Sequence, residues 1–174
     1  ECDQEVPAAD WTVSDNCDPA PSVEVSAAIV DGDCPQEYVM TRTYTATDAC
    51  GNVTTGTQVI TVQDTAAPEL TVADDVTIEC DQEVPAADYT AIDACDSDVT
   101  VVISEEITDG DCPQEYVLTR TYTATDDCGN ATSATQTITV QDTTAPTLEV
   151  AADVTIECDQ EVPAADWTVS DNCD

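Results

Sequence analysis

The chain has 174 residues, with 38 Asp plus Glu against two Arg, no Lys and no His, and a formal charge of −36. So few cations exclude a nucleic-acid partner, and so much negative charge opposes docking on an anionic membrane. No apolar run reaches the length of a membrane span, and without His there is neither a Ser-His-Asp or Cys-His catalytic pair nor a His-bearing zinc site.

Along the chain, the segment ECDQEVPAAD starts at Glu1, again at Glu79 and again at Glu157, a period of 78 residues. Residues 1–78 and 79–156 agree at roughly 70% of positions without a gap. Every cysteine obeys the period: Cys2, Cys17, Cys34 and Cys50 recur as Cys80, Cys95, Cys112 and Cys128, then as Cys158 and Cys173. The proline-bearing links Gln63–Pro68 and Gln141–Pro146 set the expected module boundaries. They predict an incomplete first module over 1–66, a complete one over 67–144 and the start of a third over 145–174, as in a cut from a longer array. With 41% apolar residues and regular cysteines, the chain is expected to fold despite its acidity.

Thr and Val alternate with period two, and turn residues recur every 8–16 positions, which reads as all-β. In the complete module, strands are predicted over Glu69–Cys80, Tyr89–Cys95, Val99–Ile107, Tyr116–Thr125 and Thr132–Val140. Five strands running alternately up and down predict a small immunoglobulin-like β-sandwich. Within the fourth strand, Tyr116, Leu118, Arg120, Tyr122 and Ala124 share the core-facing side, while Thr119, Thr121, Thr123 and Thr125 face away, joined by Thr135, Thr137 and Thr139 of the fifth. Arg120 and its counterpart Arg42 are expected to be structural, stacking on Tyr and meeting a carboxylate at a sheet edge. Tyr89, Trp11 and Trp167 are expected core aromatics.

Each cysteine sits at a strand end, and successive ends alternate between two poles. Cys80 and Cys112 therefore share one pole, and Cys95 and Cys128 the other. Taken within a module, this predicts the bridges Cys80–Cys112 and Cys95–Cys128 and, by repetition, Cys2–Cys34 and Cys17–Cys50. No close Cys pair of the CxxC kind points to zinc. Disulfides imply an oxidising, extracellular compartment.

The run Thr119–Asn130, the following Thr137–Pro146, the segment Val76–Cys80 and Asp15-Asn16-Cys17-Asp18 together resemble the hyalin-type (HYR) repeat, over the whole chain. The resemblance implies extracellular immunoglobulin-like modules with a structural or adhesive role. It supplies no catalytic residue, and no carboxylate pair stands out as a hydrolytic site, so the chain is not expected to be an enzyme.

Acidic residues gather at the pole of Cys95 and Cys128, with Asp93, Asp96, Asp98, Asp126, Asp127 and Asn130. End-to-end stacking would press this set against Asp31 and Asp33 of the preceding copy, and like charges at close range need neutralising. Calcium takes six to eight oxygen ligands of this kind. The expected ligands are Asp64, Asp96, Asp126 and Asn130, with Asp142 as the matching link residue one copy on; the competing reading is a solvated acidic surface. Asn52 and Asn130 head N-glycosylation patterns, and Thr65 and Thr143 sit in possible O-glycosylation sequences. The expected function is a stalk or filament whose partners are neighbouring modules and other copies of the chain. A glycan- or protein-binding module using the Thr-rich face or the Asp-rich pole is the alternative.

Overall fold

A computed structural model describes residues 2–173 and is all-β, with eleven strands and no helix among them. The chain divides into two compact units. The first takes the stretch up to Thr71 with Tyr89–Val102 and Tyr122–Ala134, and the second takes Val72–Asp88, Ile103–Thr121 and the stretch from Thr135 on.

In the first copy of the repeat, β1 (Ser22–Asp31), β2 (Tyr38–Thr47) and β3 (Val53–Val62) form an antiparallel sheet in that order. In the second copy, β4 (Glu69–Val72) pairs with β6 (Tyr89–Ile92). Beside them, β5 (Val76–Glu79), β9 (Ala131–Gln141), β8 (Tyr116–Thr125) and β7 (Thr100–Asp109) form a four-stranded sheet in that order. β10 (Thr147–Val150) pairs with β11 (Trp167–Ser170).

The strand expected over Glu69–Cys80 is two strands in two sheets, so the second copy has six strands where five were expected. The break falls at Ala73-Asp74-Asp75, and the polar groups there are taken by β9. Gln136, almost wholly buried, donates its Nε2 to the Asp74 carbonyl at 3.0 Å, and the Thr137 amide donates to Asp75 Oδ1 at 2.6 Å. Carried across in this way, β5 runs parallel to β9 with Val76 opposite Ile138 and Ile78 opposite Val140. A parallel pair is what up-and-down alternation requires of the first and fifth expected strands. The register places Val76 and Ile78 against Leu118, Ile138 and Val140, which form the core of the second unit.

β8 occupies the expected span and faces the expected way. Leu118, Arg120, Tyr122 and Ala124 are buried, while the intervening Thr residues are half-buried. The side chain of Arg120 is 8% exposed; its Nε meets Glu105 Oε1 at 2.6 Å and its Nη1 donates to the Pro85 carbonyl at 2.6 Å. The guanidinium is thus held as a structural tie. The first copy has Ala27 where the second has Glu105, and there Arg42 reaches only Gln58 at 3.4 Å.

The expected core aromatics are less enclosed than their placement in sequence suggests. Tyr89 stacks on Tyr122 with ring centroids 5.7 Å apart, and Trp11 on Tyr44 at 5.9 Å, yet Tyr89 is 40%, Trp11 46% and Trp167 60% exposed. Tyr89 lies on the short β6, paired with the equally short β4, so it covers Tyr122 from one side and has no layer beyond it.

Candidate functional site: the bridged poles

Three disulfides join cysteines 93 or 94 residues apart: Cys2–Cys95, Cys34–Cys128 and Cys80–Cys173. Their Cα–Cα distances are 5.7, 5.1 and 5.7 Å, within the ordinary range for a bridge. This overturns the expected pairs Cys2–Cys34, Cys17–Cys50, Cys80–Cys112 and Cys95–Cys128. The assignment of cysteines to poles is consistent with the strand directions; what fails is the assumption that a sulfur finds its partner at its own pole. The first cysteine of one copy binds the second of the next, and the third binds the fourth. The loops that carry Cys2 and Cys34 meet those that carry Cys95 and Cys128, so the sulfur within reach belongs to the neighbouring copy.

Each pole is built by side chains capping its own turns. Asp93 Oδ1 accepts from the amides of Cys95 and Asp96 at 2.7 and 3.0 Å. Asp126 Oδ1 accepts from the Cys128 and Asn130 amides at 2.9 and 2.8 Å, and its Oδ2 accepts from Asn130 Nδ2 at 2.9 Å. Asp96 spans the two loops: its Oδ2 accepts from the Asp127 amide at 2.9 Å and its Oδ1 from the Asp98 amide at 2.8 Å. Gly129 sits at φ 89°, a left-handed conformation that lets the turn close. The facing loop, which carries Cys34, closes because the Gly32 amide donates to the Glu37 carbonyl at 2.8 Å, and a Cβ at Gly32 would lie 2.5 Å from the Glu37 Cβ.

Of the expected calcium ligands, Asp64, Asp96, Asp126 and Asn130 gather at this pole. Asn130 Nδ2 donates to the Asp64 carbonyl at 3.2 Å, and Asp64 and Asp126 are both buried. Asp96, Asp126 and Asn130 are engaged in holding the turns, which is a full structural reason for their presence. The carboxylates that approach each other are Asp64 and Asp93, with ligand atoms within 4.8 Å of one another and of Cys95 Sγ. Asp93 was legible as part of the acidic pole, but nothing in its spacing separated it from its neighbours. Asp142, the link residue one copy on, lies equally close to the sulfurs of Cys80 and Cys173. All these sulfurs are in disulfides, so only the carboxylates remain as candidate donors. Asp171 holds the repeat position of Asp93, and its Oδ1 accepts from the Cys173 amide at 2.9 Å. Its Oδ2 is buried with no hydrogen-bond donor.

The glycosylation candidates divide in the same way. Asn52 is exposed, but its Nδ2 donates to Asp48 Oδ2 at 2.7 Å, and Asn130 is engaged as described. Hydrogen bonding by Asn52 holds the Asp48 carboxyl below its ordinary pKa. Thr65 is exposed. Thr143 clamps the link to the end of β5: its Oγ1 donates to Glu79 Oε1 at 2.7 Å and its amide to Oε2 at 3.0 Å. The Thr143 hydroxyl and amide, followed by Gln141, hold the Glu79 carboxyl below its ordinary pKa. Thr143→Ala is therefore expected to raise the Glu79 pKa toward that of a free Glu, as read by carbon-detected NMR titration. Because the folded pKa is depressed, the clamp's contribution is complete above the unfolded pKa and is lost as pH falls through the folded value. An unchanged titration in the variant would show that the hydroxyl does not support the carboxylate.

No family model matches the chain, and no curated protein matches it either.

Proposed function

We propose that the chain is a tension-bearing segment of an extracellular stalk or filament, made of immunoglobulin-like copies of the hyalin type and working through their junctions. The observation that carries this reading is the overlap of the bridges. Cys2–Cys95 and Cys80–Cys173 overlap between residues 80 and 95. Force applied at Cys2 passes through the first bridge to Cys95, back along the chain to Cys80, and through the second bridge to Cys173. Only the segment from 80 to 95, which includes β6, lies in series with the load; the long strands β1–β3 and β7–β9 are bypassed. Bridges confined within a copy would leave the links between copies to carry the load alone. Three disulfides suit an oxidising compartment.

Single-molecule pulling from the two ends tests the reading. With its bridges intact the oxidised chain is expected to reach a separation of no more than about 65 Å between Cys2 and Cys173, and the reduced chain several hundred ångströms, at about 3.3–3.6 Å per extended residue. An oxidised chain that unravels as far as the reduced one removes the tensile function.

Calcium belongs to the same proposal, as a neutralising ion between the link carboxylate and the pole carboxylate: Asp64 with Asp93, and Asp142 with Asp171. The residues suit a hard cation because both donors are carboxylates, and the donor-less Asp171 Oδ2 is what such an ion would satisfy. Calcium is expected to raise the melting temperature over excess EGTA, by several degrees if the ion contributes 2–3 kcal/mol. Asp64→Asn together with Asp142→Asn should abolish the difference. Coincident melting curves for the parent chain would remove calcium and leave the acids as turn caps and solvated charge.

A further inference from the structure

We infer that the pole carrying Cys17 and Cys50 is a covalent docking site for the opposite end of a further copy of the 78-residue repeat, closed by two disulfides. The inference extends the tensile reading by naming the partner. Cys17 and Cys50 hold the repeat positions of Cys95 and Cys128, and both thiols are exposed and free.

Two free thiols alone would say little; the scaffold that presents them says more, because it repeats the occupied pole bond for bond. The Cys17 amide donates to Asp15 Oδ1 at 2.8 Å, as the Cys95 amide does to Asp93 at 2.7 Å. Asp18 Oδ2 accepts from the Ala49 amide at 2.9 Å, as Asp96 Oδ2 accepts from the Asp127 amide at 2.9 Å. The Cys50 amide donates to Asp48 Oδ1 at 2.9 Å, as the Cys128 amide does to Asp126 at 2.9 Å. Gly51 and Gly129 turn the chain at φ 86° and 89°. The pole with free thiols is thus preformed in the geometry that, one copy on, holds Cys2 and Cys34. Its complement is the end of a copy bearing the first and third cysteines of the repeat.

Cys158 displays part of that complementary end. It is exposed and free, and it follows the same turn as the bridged Cys80: the Gln160 amide donates to the Glu157 carbonyl, and the Gln82 amide to the Glu79 carbonyl, both at 3.0 Å. The load path then continues from copy to copy, with the segment between the first and second cysteines as its repeating element.

Each closure joins two thiols in one S–S bond. The two protons and two electrons pass to a small-molecule disulfide such as oxidised glutathione, whose own S–S bond breaks to give two thiols.

The test is a chain lengthened before residue 1 by one copy of its own residues 79–156. It is folded with oxidised glutathione, alkylated, cleaved at Asp and Glu, and mapped without reduction. The expected result is Cys17 linked to a first-position cysteine, Cys50 linked to a third-position cysteine, and loss of alkylation at both. Cys2–Cys95 and Cys34–Cys128 serve as the internal standard of folding. With those bridges formed, continued alkylation of Cys17 and Cys50 overturns the proposal. The chain at its present length supplies a second reading that does not depend on the longer one folding. There, Cys17 and Cys50 should take up glutathione separately, and a Cys17–Cys50 bridge as the main product overturns the proposal. Neither failure touches the force response of the present chain, and unravelling in that experiment would not affect the links mapped here.

Discussion

Replacing Cys34 and Cys128 together by Ser is expected to destabilise the chain by about 4–5 kcal/mol, because the bridge closes a loop of nearly a hundred residues and the chain-entropy term grows with loop length. At this chain length that is a fall of about 10–20 °C in melting temperature. The bridge joins residues 94 apart, nearly three times the spacing of the Cys17–Cys50 or Cys80–Cys112 pairs. The size of the effect therefore reports on the pairing as well as on stability. Oxidised samples of the double variant and the parent chain, compared by calorimetry, give the number. The control is Cys17→Ser with Cys50→Ser, which removes two exposed thiols that no bridge uses in this chain and should move the melting temperature by a degree or two, as surface changes do. Equal losses in the two double variants would contradict the pairing. If the control also loses stability and the Cys34/Cys128 variant loses about twice as much, as it must when one cysteine is taken from each of two bridges, the pairing within one copy is restored.

Tyr122→Ala is expected to cost about 3–5 kcal/mol, the usual range for emptying a buried aromatic site. Tyr122 has no exposed surface, and its ring lies 5.7 Å from that of Tyr89. The loss therefore includes the aromatic pair and leaves a cavity beneath β6, a strand of only four residues. A short strand paired with another short strand has little backbone to hold it once its side-chain anchor is gone, so Tyr89 and β6 should loosen together. Urea unfolding measures the free energy, and hydrogen exchange at Thr90 and Ala91 tests whether β6 is the element released. Thr123→Ala on the same strand is the counterpart: its hydroxyl pairs with Ser133 at 3.0 Å on the more open side, and the change should stay within about 0.5 kcal/mol. A Tyr122 variant no weaker than the Thr123 variant would mean that the two faces of β8 are not core and surface.

Much of this organisation is legible in the residues. Period-two alternation marks β8 and its two faces because one face must exclude water and the other need not. Gly129 and the aspartates at each turn mark the poles because their chemistry caps a chain reversal locally, within four residues. The break at Ala73–Asp75 is less legible. Its two strands are alike in residue type, each with two aliphatic residues, one Thr and one Glu, and the break is stabilised by Gln136 and Thr137, more than sixty residues away. Arg120 reads as structural from its place on a core face, but its partners Glu105 and Pro85 come from other segments.

The candidate cation site divides along the same line. Asp64 and Asp142 stand out at proline-bearing links, whereas Asp93 and Asp171 look like any other acid in an acidic loop. Their roles depend on which loop the link passes.

The repeat, the all-β class, the alternation of faces and the assignment of each cysteine to a pole all follow from the amino-acid order, because each rests on neighbours in the chain or on a fixed period. The partner of each cysteine does not follow, since a disulfide forms only between sulfurs brought within a few ångströms, and chain distance does not measure that approach. Folding brings one end of a copy against the facing end of the next, and so Cys2 meets Cys95 across 93 residues while Cys34, at its own pole, binds elsewhere.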